Sequence, residues 1–102
     1  MKVQNTPGTA KRSPKCRVCG PWIDHWFNKT DASFFDRAFL RCARCHNSMI
    51  VEGGHVVKSS DPNGPEYIVP LCHECNTKDV GVPFEVDCQL VRAVQCTPDS
   101  KG

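Results

Sequence analysis

Six of the eight cysteines in this 102-residue chain form three pairs with two residues between the partners: Cys16/Cys19, Cys42/Cys45 and Cys72/Cys75. One tight turn of that spacing puts two thiolates on a single ion, which points to zinc rather than to disulfides. Cys42, Cys45, Cys72 and Cys75 predict one tetrahedral zinc. Four thiolates fill its coordination sphere, so it has no position for substrate and its role is folding. Cys16 and Cys19 predict half of a second zinc site, with the remaining ligands drawn from His25, Cys88 and Cys96. The opposing reading treats Cys88 and Cys96 as small buried hydrophobes and His25 as a core residue packed between Trp22 and Trp26. A redox role for any pair would call for a βαβ setting, and none surrounds them.

The composition explains why metal is needed. A chain this short holds one domain with a thin core, and small domains that bury little apolar surface rely on staples. No apolar run is long enough to span a membrane, and residues 1–14 are polar and basic, without the hydrophobic segment of a signal peptide. The expectation is therefore a soluble, cytoplasmic protein in a reducing compartment. The formal charge is +2. Lys2, Lys11, Arg12, Lys15 and Arg17 all precede the first acid, Asp24. Such a basic arm suits a phosphate backbone, or serves as a solvated tail.

The elements that must position these residues follow from local pattern. Residues 1–14, with Pro7, Gly8 and Pro14 among polar neighbours, read as a flexible basic leader; residues 15–98 read as a single zinc-binding domain and 99–102 as a tail. Thr30 or Asp31 can cap a short helix running to Leu40, with Phe34, Phe35, Ala38 and Phe39 on its buried face. Residues 49–57 read as a strand broken or bulged at Gly53–Gly54, residues 59–65 as a turn-rich loop, and Tyr67, Ile68 and Val69 as the return strand of a hairpin. A short helix carrying Cys72 and Cys75 in its first turn follows, ending near Gly81 and Pro83. Alternation of Phe84, Val86, Cys88 and Leu90 suits a terminal strand. The fold class expected is a small α+β zinc-stabilised domain.

The order of knuckle, hairpin and cysteine-bearing helix resembles a treble clef. Over residues 42–78 the chain resembles the zinc-stapled HNH endonuclease family in three pieces: Cys42-Ala-Arg-Cys45, Gly54-His55-Val56-Val57, and Tyr67-Ile-Val-Pro-Leu-Cys72-His-Glu-Cys75-Asn76-Thr-Lys78. The resemblance implies a ββα-metal core over about 42–80, preceded by the N-terminal knuckle and a short helix. It also implies phosphodiester hydrolysis, with His55 as general base and Asn76 as the metal-binding or polar residue of the helix. Mg²⁺ or a similar divalent ion would be the cofactor. Gly54 stands where the family usually carries an acidic residue or histidine as a second metal ligand, and Tyr67 stands where an asparagine orients the base. Glu52, Asp61, His46 and His73 are the residues that could substitute.

Two functions are thus expected on nucleic acid, DNA first: a degenerate metal-dependent endonuclease, or a non-catalytic zinc-stabilised module. The module would hold phosphates with the basic arm, Arg41, Arg44 and Lys78. A protein-interaction module that exposes Trp22, Trp26 or Phe27 is the remaining alternative, although so small a domain has few other large residues to bury.

Overall fold

A computed structural model describes residues 1–6, 15–31 and 40–96. The helix expected between residues 30 and 40 lies almost entirely outside the described residues, and residues 7–14 of the expected leader and the tail over 99–102 lie wholly outside them.

The centre of the molecule is the hairpin. β4 (Glu52–Lys58) and β5 (Tyr67–Leu71) pair antiparallel in register from Glu52↔Leu71 to Val56↔Tyr67. Side chains alternate along a strand, and cross-strand partners share a face. Glu52, Gly54 and Val56 therefore lie on one face with Leu71, Val69 and Tyr67; Gly53 and His55 lie on the other with Pro70 and Ile68. Contrary to the bulge expected there, Gly53 and Gly54 pair regularly within an unbroken strand. They are glycines because both faces are crowded. A methyl group on Gly53 would sit 2.6 Å from Trp22 Cβ, and one on Gly54 would sit 3.0 Å from both Leu71 Cγ and Asn76 Oδ1.

The sheet extends on both sides of the hairpin. β1 (Lys2–Asn5) pairs antiparallel with β4 and with β6 (Phe84–Glu85), while β7 (Val91–Arg92) pairs with β5, in the order β6-β1-β4-β5-β7. The flexible leader expected over residues 1–14 is thus corrected for its first residues. Val3 is fully buried in the core and Asn5 nearly so, the Asn5 amide donating to the carbonyls of Cys75 (2.8 Å) and Lys78 (2.9 Å). Pro70 is tolerated within β5 because β7 pairs only as far as Ile68. Its carbonyl instead accepts from the Ala43 amide at 2.7 Å, which fastens a knuckle to the strand.

Among the described residues, each face of the sheet carries one helix and one core. α1 (Trp22–Asn28) buries Trp22, Ile23, His25 and Trp26 against Ile68. α2 (His73–Thr77) buries Cys75 in the other cluster, with Val3, Cys42, Val56, Val69, Leu71, Phe84 and Val86. Both helices are too short to be stable alone and depend on what they pack against. The small β2 (Lys15–Cys16) and β3 (Gly20–Pro21) hairpin leads into α1. The molecule is a small mixed α+β domain. No helix among the described residues is long and apolar enough to cross a membrane.

Candidate metal centres

The two knuckles share one backbone device. In each, the residue after the second cysteine adopts positive φ: Gly20 at 88° and His46 at 62°. Reversing the chain there lets the loop fold its amides back on the sulfur. Cys45 N–H points at Cys42 Sγ (3.5 Å), and the His46 amide closes the turn on the Cys42 carbonyl (3.0 Å). Glycine takes this conformation freely; histidine takes it at a cost.

The first cluster, on the α1 face, gathers Cys16 and Cys19 from the β2–β3 hairpin, His25 from α1 and Cys96 from the segment after β7, all ligand atoms within 4.8 Å of one another. Cys19 Sγ and Cys96 Sγ are 3.9 Å apart, and Cys96 Sγ is 3.6 Å from His25 Nδ1. A tetrahedral zinc with ordinary bond lengths requires sulfur–sulfur separations of about 3.8 Å and sulfur–nitrogen separations of about 3.6 Å. The spacing fits zinc. It does not fit a disulfide, whose sulfurs would be ~2 Å apart; all eight cysteines are free.

His25 is set up as a ligand by its other nitrogen. Nε2 lies 3.1 Å from the Arg92 carbonyl. A carbonyl oxygen only accepts, so the proton sits on Nε2 and the Nδ1 lone pair faces the sulfurs, as outer hydrogen bonds commonly arrange for metal-binding histidines. The ring is 1 % exposed and packs edge-on against Trp22, with ring centroids 5.0 Å apart. The packed-core and ligand readings of His25 are therefore compatible. Cys88, the third candidate, lies outside both clusters. Burial and the neighbouring Asp87 charge push its thiol up to about 11, so it remains protonated at neutral pH.

The second cluster, on the α2 face, joins Cys42 and Cys45 of the knuckle to Cys72 and Cys75, again within 4.8 Å; Cys45 Sγ and Cys72 Sγ are 3.9 Å apart. Cys72 occupies the N-cap position of α2 and Cys75 lies one turn on, which aims both sulfurs at the knuckle. Burial opposes ionisation of Cys42, yet the backbone N–H groups of Cys45, Cys72 and Arg44 outweigh it and lower its thiol to about 6. Cys16 shows the same balance: burial is overcome by the amides of Cys19, Cys96 and Val18, giving about 6. Burial and the neighbouring sulfurs raise Cys75, and burial raises Cys19. One thiolate per cluster is thus prepared by the fold, and a divalent ion would offset the charge of the rest.

The residues implied by the HNH resemblance are distributed differently. Asn76 is on the α2 face, where its amide donates to Glu52 Oε2 (2.5 Å) while His73 Nδ1 donates to Glu52 Oε1 (3.0 Å). His55 is on the α1 face, edge-on to Trp22 with ring centroids 5.6 Å apart and its Nδ1 3.3 Å from Glu66 Oε1. β4 runs between them, and each has its own carboxylate. A hard divalent ion needs oxygens that converge. Here Glu52 is engaged by two side-chain donors, Gly54 contributes no side chain, and His55 faces away. Asp61 sits at the hairpin turn, where its carbonyl accepts from Gly64 (3.0 Å), and His46 is exposed in the knuckle.

Several residues that matter here carry no sequence signal. Glu66, Asn5 and the glutamines of the C-terminal segment are examples: Trp26 Nε1 donates to the Gln89 carbonyl (2.8 Å), and the Gln95 side chain accepts from Arg17 N (2.7 Å) and donates to Lys15 O (2.8 Å). Comparison with known protein families, curated proteins and solved structures finds no match to this chain.

Proposed function

We propose that this protein is a non-catalytic, zinc-stapled module of ββα-metal type that engages nucleic acid. The observation that carries the reading is the pairing of two closed four-ligand clusters with a split candidate active site. Each cluster supplies four protein ligands, which is the composition of a structural zinc rather than of a catalytic one. The groups needed for hydrolysis, His55 and Asn76, lie on opposite faces of β4. The treble-clef resemblance of residues 42–78 supplies the expectation of nucleic acid as partner. Zinc in this reading orients nothing reactive; it holds α1 and the C-terminal segment on one face and the knuckle and α2 on the other.

The second reading, a degenerate endonuclease, rests on one contact. His55 Nδ1 lies 3.3 Å from Glu66 Oε1, an arrangement in which a carboxylate orients the imidazole. Plasmid nicking with Mg²⁺, Mn²⁺ or Ni²⁺, run beside DNA binding for the native chain and His55→Ala, separates the two. The module predicts salt-sensitive binding and no cleavage by either protein. Cleavage that disappears in His55→Ala would establish the endonuclease instead.

A further inference from the structure

Zinc loading changes the charge of this protein. Seven thiolates and two Zn²⁺ ions together remove three positive charges from the formal +2, leaving −1. Affinity for a polyanion must then come from where the cations stand rather than from the total. Beside the second cluster two of them are already neutralised. Arg44 pairs with Asp79 at 3.0 Å and stacks over Phe84, and Lys78 pairs with Glu74 at 3.6 Å. Two of the sequence-predicted phosphate holders are therefore occupied.

The surroundings of the first cluster differ. Lys15 and Arg17 flank Cys16, Lys29 caps the C-terminus of α1 one turn beyond His25, and Arg92 on the edge strand β7 supplies the carbonyl that holds His25. All four are exposed, and none of their side chains makes an ion pair among the described residues. They belong to one surface. Gln95 binds the backbone of both Lys15 and Arg17, and it shares an open cleft of about 460 Å³ with Lys29, Arg92 and His25. In sequence, Lys11 and Arg12 precede Lys15 and add to the same run. The acids of this segment, Asp24 and Asp31, belong to the first turn of α1 and to the chain just after it.

We infer that the face built around Cys16, Cys19, His25 and Cys96 is the nucleic-acid-binding surface, with Lys15, Arg17, Lys29 and Arg92 seated on backbone phosphates. This rests on the function proposed above and specifies which face serves it. The cations sit on short segments whose positions are set by the metal ligands beside them, so zinc at this cluster would organise the binding surface as well as the fold. The contacts are to phosphate, and the surface carries no sequence preference of its own.

The test is the salt dependence of binding to a short DNA duplex by the zinc-loaded protein. Each cation seated on a phosphate contributes about 0.9 to the slope of log affinity against log salt. Lys15→Gln, Arg17→Gln and Lys29→Gln combined should lower that slope by roughly 2.7 and weaken binding on the order of a hundredfold at moderate salt. Arg44→Gln with Lys78→Gln, which removes the two cations already paired beside the second cluster, should leave the slope unaltered. Loss of slope in the second variant and not in the first would overturn the assigned surface while leaving nucleic-acid binding intact. A native protein with no salt-sensitive DNA binding would instead remove the functional reading itself. Amine-reactive footprinting of the native protein covers the case of a triple variant that fails to fold: DNA should shield Lys15 and Lys29 but not Lys78, and the reverse pattern refutes the assignment.

Discussion

Consecutive glycines on opposite faces of one strand allow each metal centre to be disturbed alone. In Gly53→Ala the new methyl would sit 2.6 Å from Trp22 Cβ and 2.7 Å from Ile23 N, against ordinary carbon contacts of about 3.5–4.0 Å. The obstacle is the start of α1, largely backbone, so the helix must withdraw by ~1 Å. Overpacking of this kind costs about 1–3 kcal/mol, and a backbone obstacle places it near the upper figure. α1 carries His25, so zinc can bind at the first cluster only with the helix docked. The penalty of about 3 kcal/mol then becomes a loss of up to roughly a hundredfold in zinc affinity there. Gly54→Ala acts on the other side, overlapping Leu71 and crowding the Asn76 amide on α2. Leu71 is a side chain and yields more readily, so a cost of about 2 kcal/mol and a roughly thirtyfold loss at the second cluster are expected. Chelator competition on cobalt-substituted protein reads the sites separately, because three sulfurs with one nitrogen and four sulfurs absorb differently in the visible. Equal weakening of both sites by either variant, or no weakening by either, would refute the placement of β4 between two metal-bearing helices.

Asn5→Ala should destabilise the domain by about 1–3 kcal/mol in chemical denaturation, since the carbonyls of Cys75 and Lys78 lose their buried donor; an unchanged midpoint would dismiss the role given to β1. His46→Gly should stabilise by up to about 1 kcal/mol, because a residue at positive φ becomes one that adopts it freely, whereas His46→Ala should gain nothing of the kind. In the zinc-loaded protein Cys88 should be the thiol that alkylating reagents reach. Its raised pKa makes the neutral thiol dominant at pH 7, so the rate should climb tenfold per pH unit until it levels near 11, and a flat profile would contradict the burial assigned to it.

How much of this was readable in advance depends on the range over which each signal acts. The three Cys-x-x-Cys pairs were legible because the constraint is local: two sulfurs can share an ion only from one tight turn. The β4–β5 hairpin was legible from its β-branched residues and turn-rich loop. β1 was not, since a single apolar residue, Val3, marks it and the surrounding Lys2, Gln4 and Asn5 resemble a solvated leader. α1 lacks a side-chain cap and buries Trp22, Ile23, His25 and Trp26 within one stretch, so its helical period is obscured. Cys96 and Cys88 could not be ranked by spacing, because the choice is made by β7 pairing with β5 and delivering Cys96 to His25. The glycine pair invited a bulge because glycine in a strand signals either a bulge or a close neighbour. Only the packed helices reveal which.

Metal stoichiometry combined with X-ray absorption at the zinc edge decides whether both clusters hold zinc. Two zinc ions per chain are expected, with an average first shell of seven sulfurs to one nitrogen over the pair and zinc–sulfur distances of about 2.3 Å. A single ion, an all-sulfur shell, or a chain that stays fully ordered after both ions are stripped would rule out two structural zinc centres.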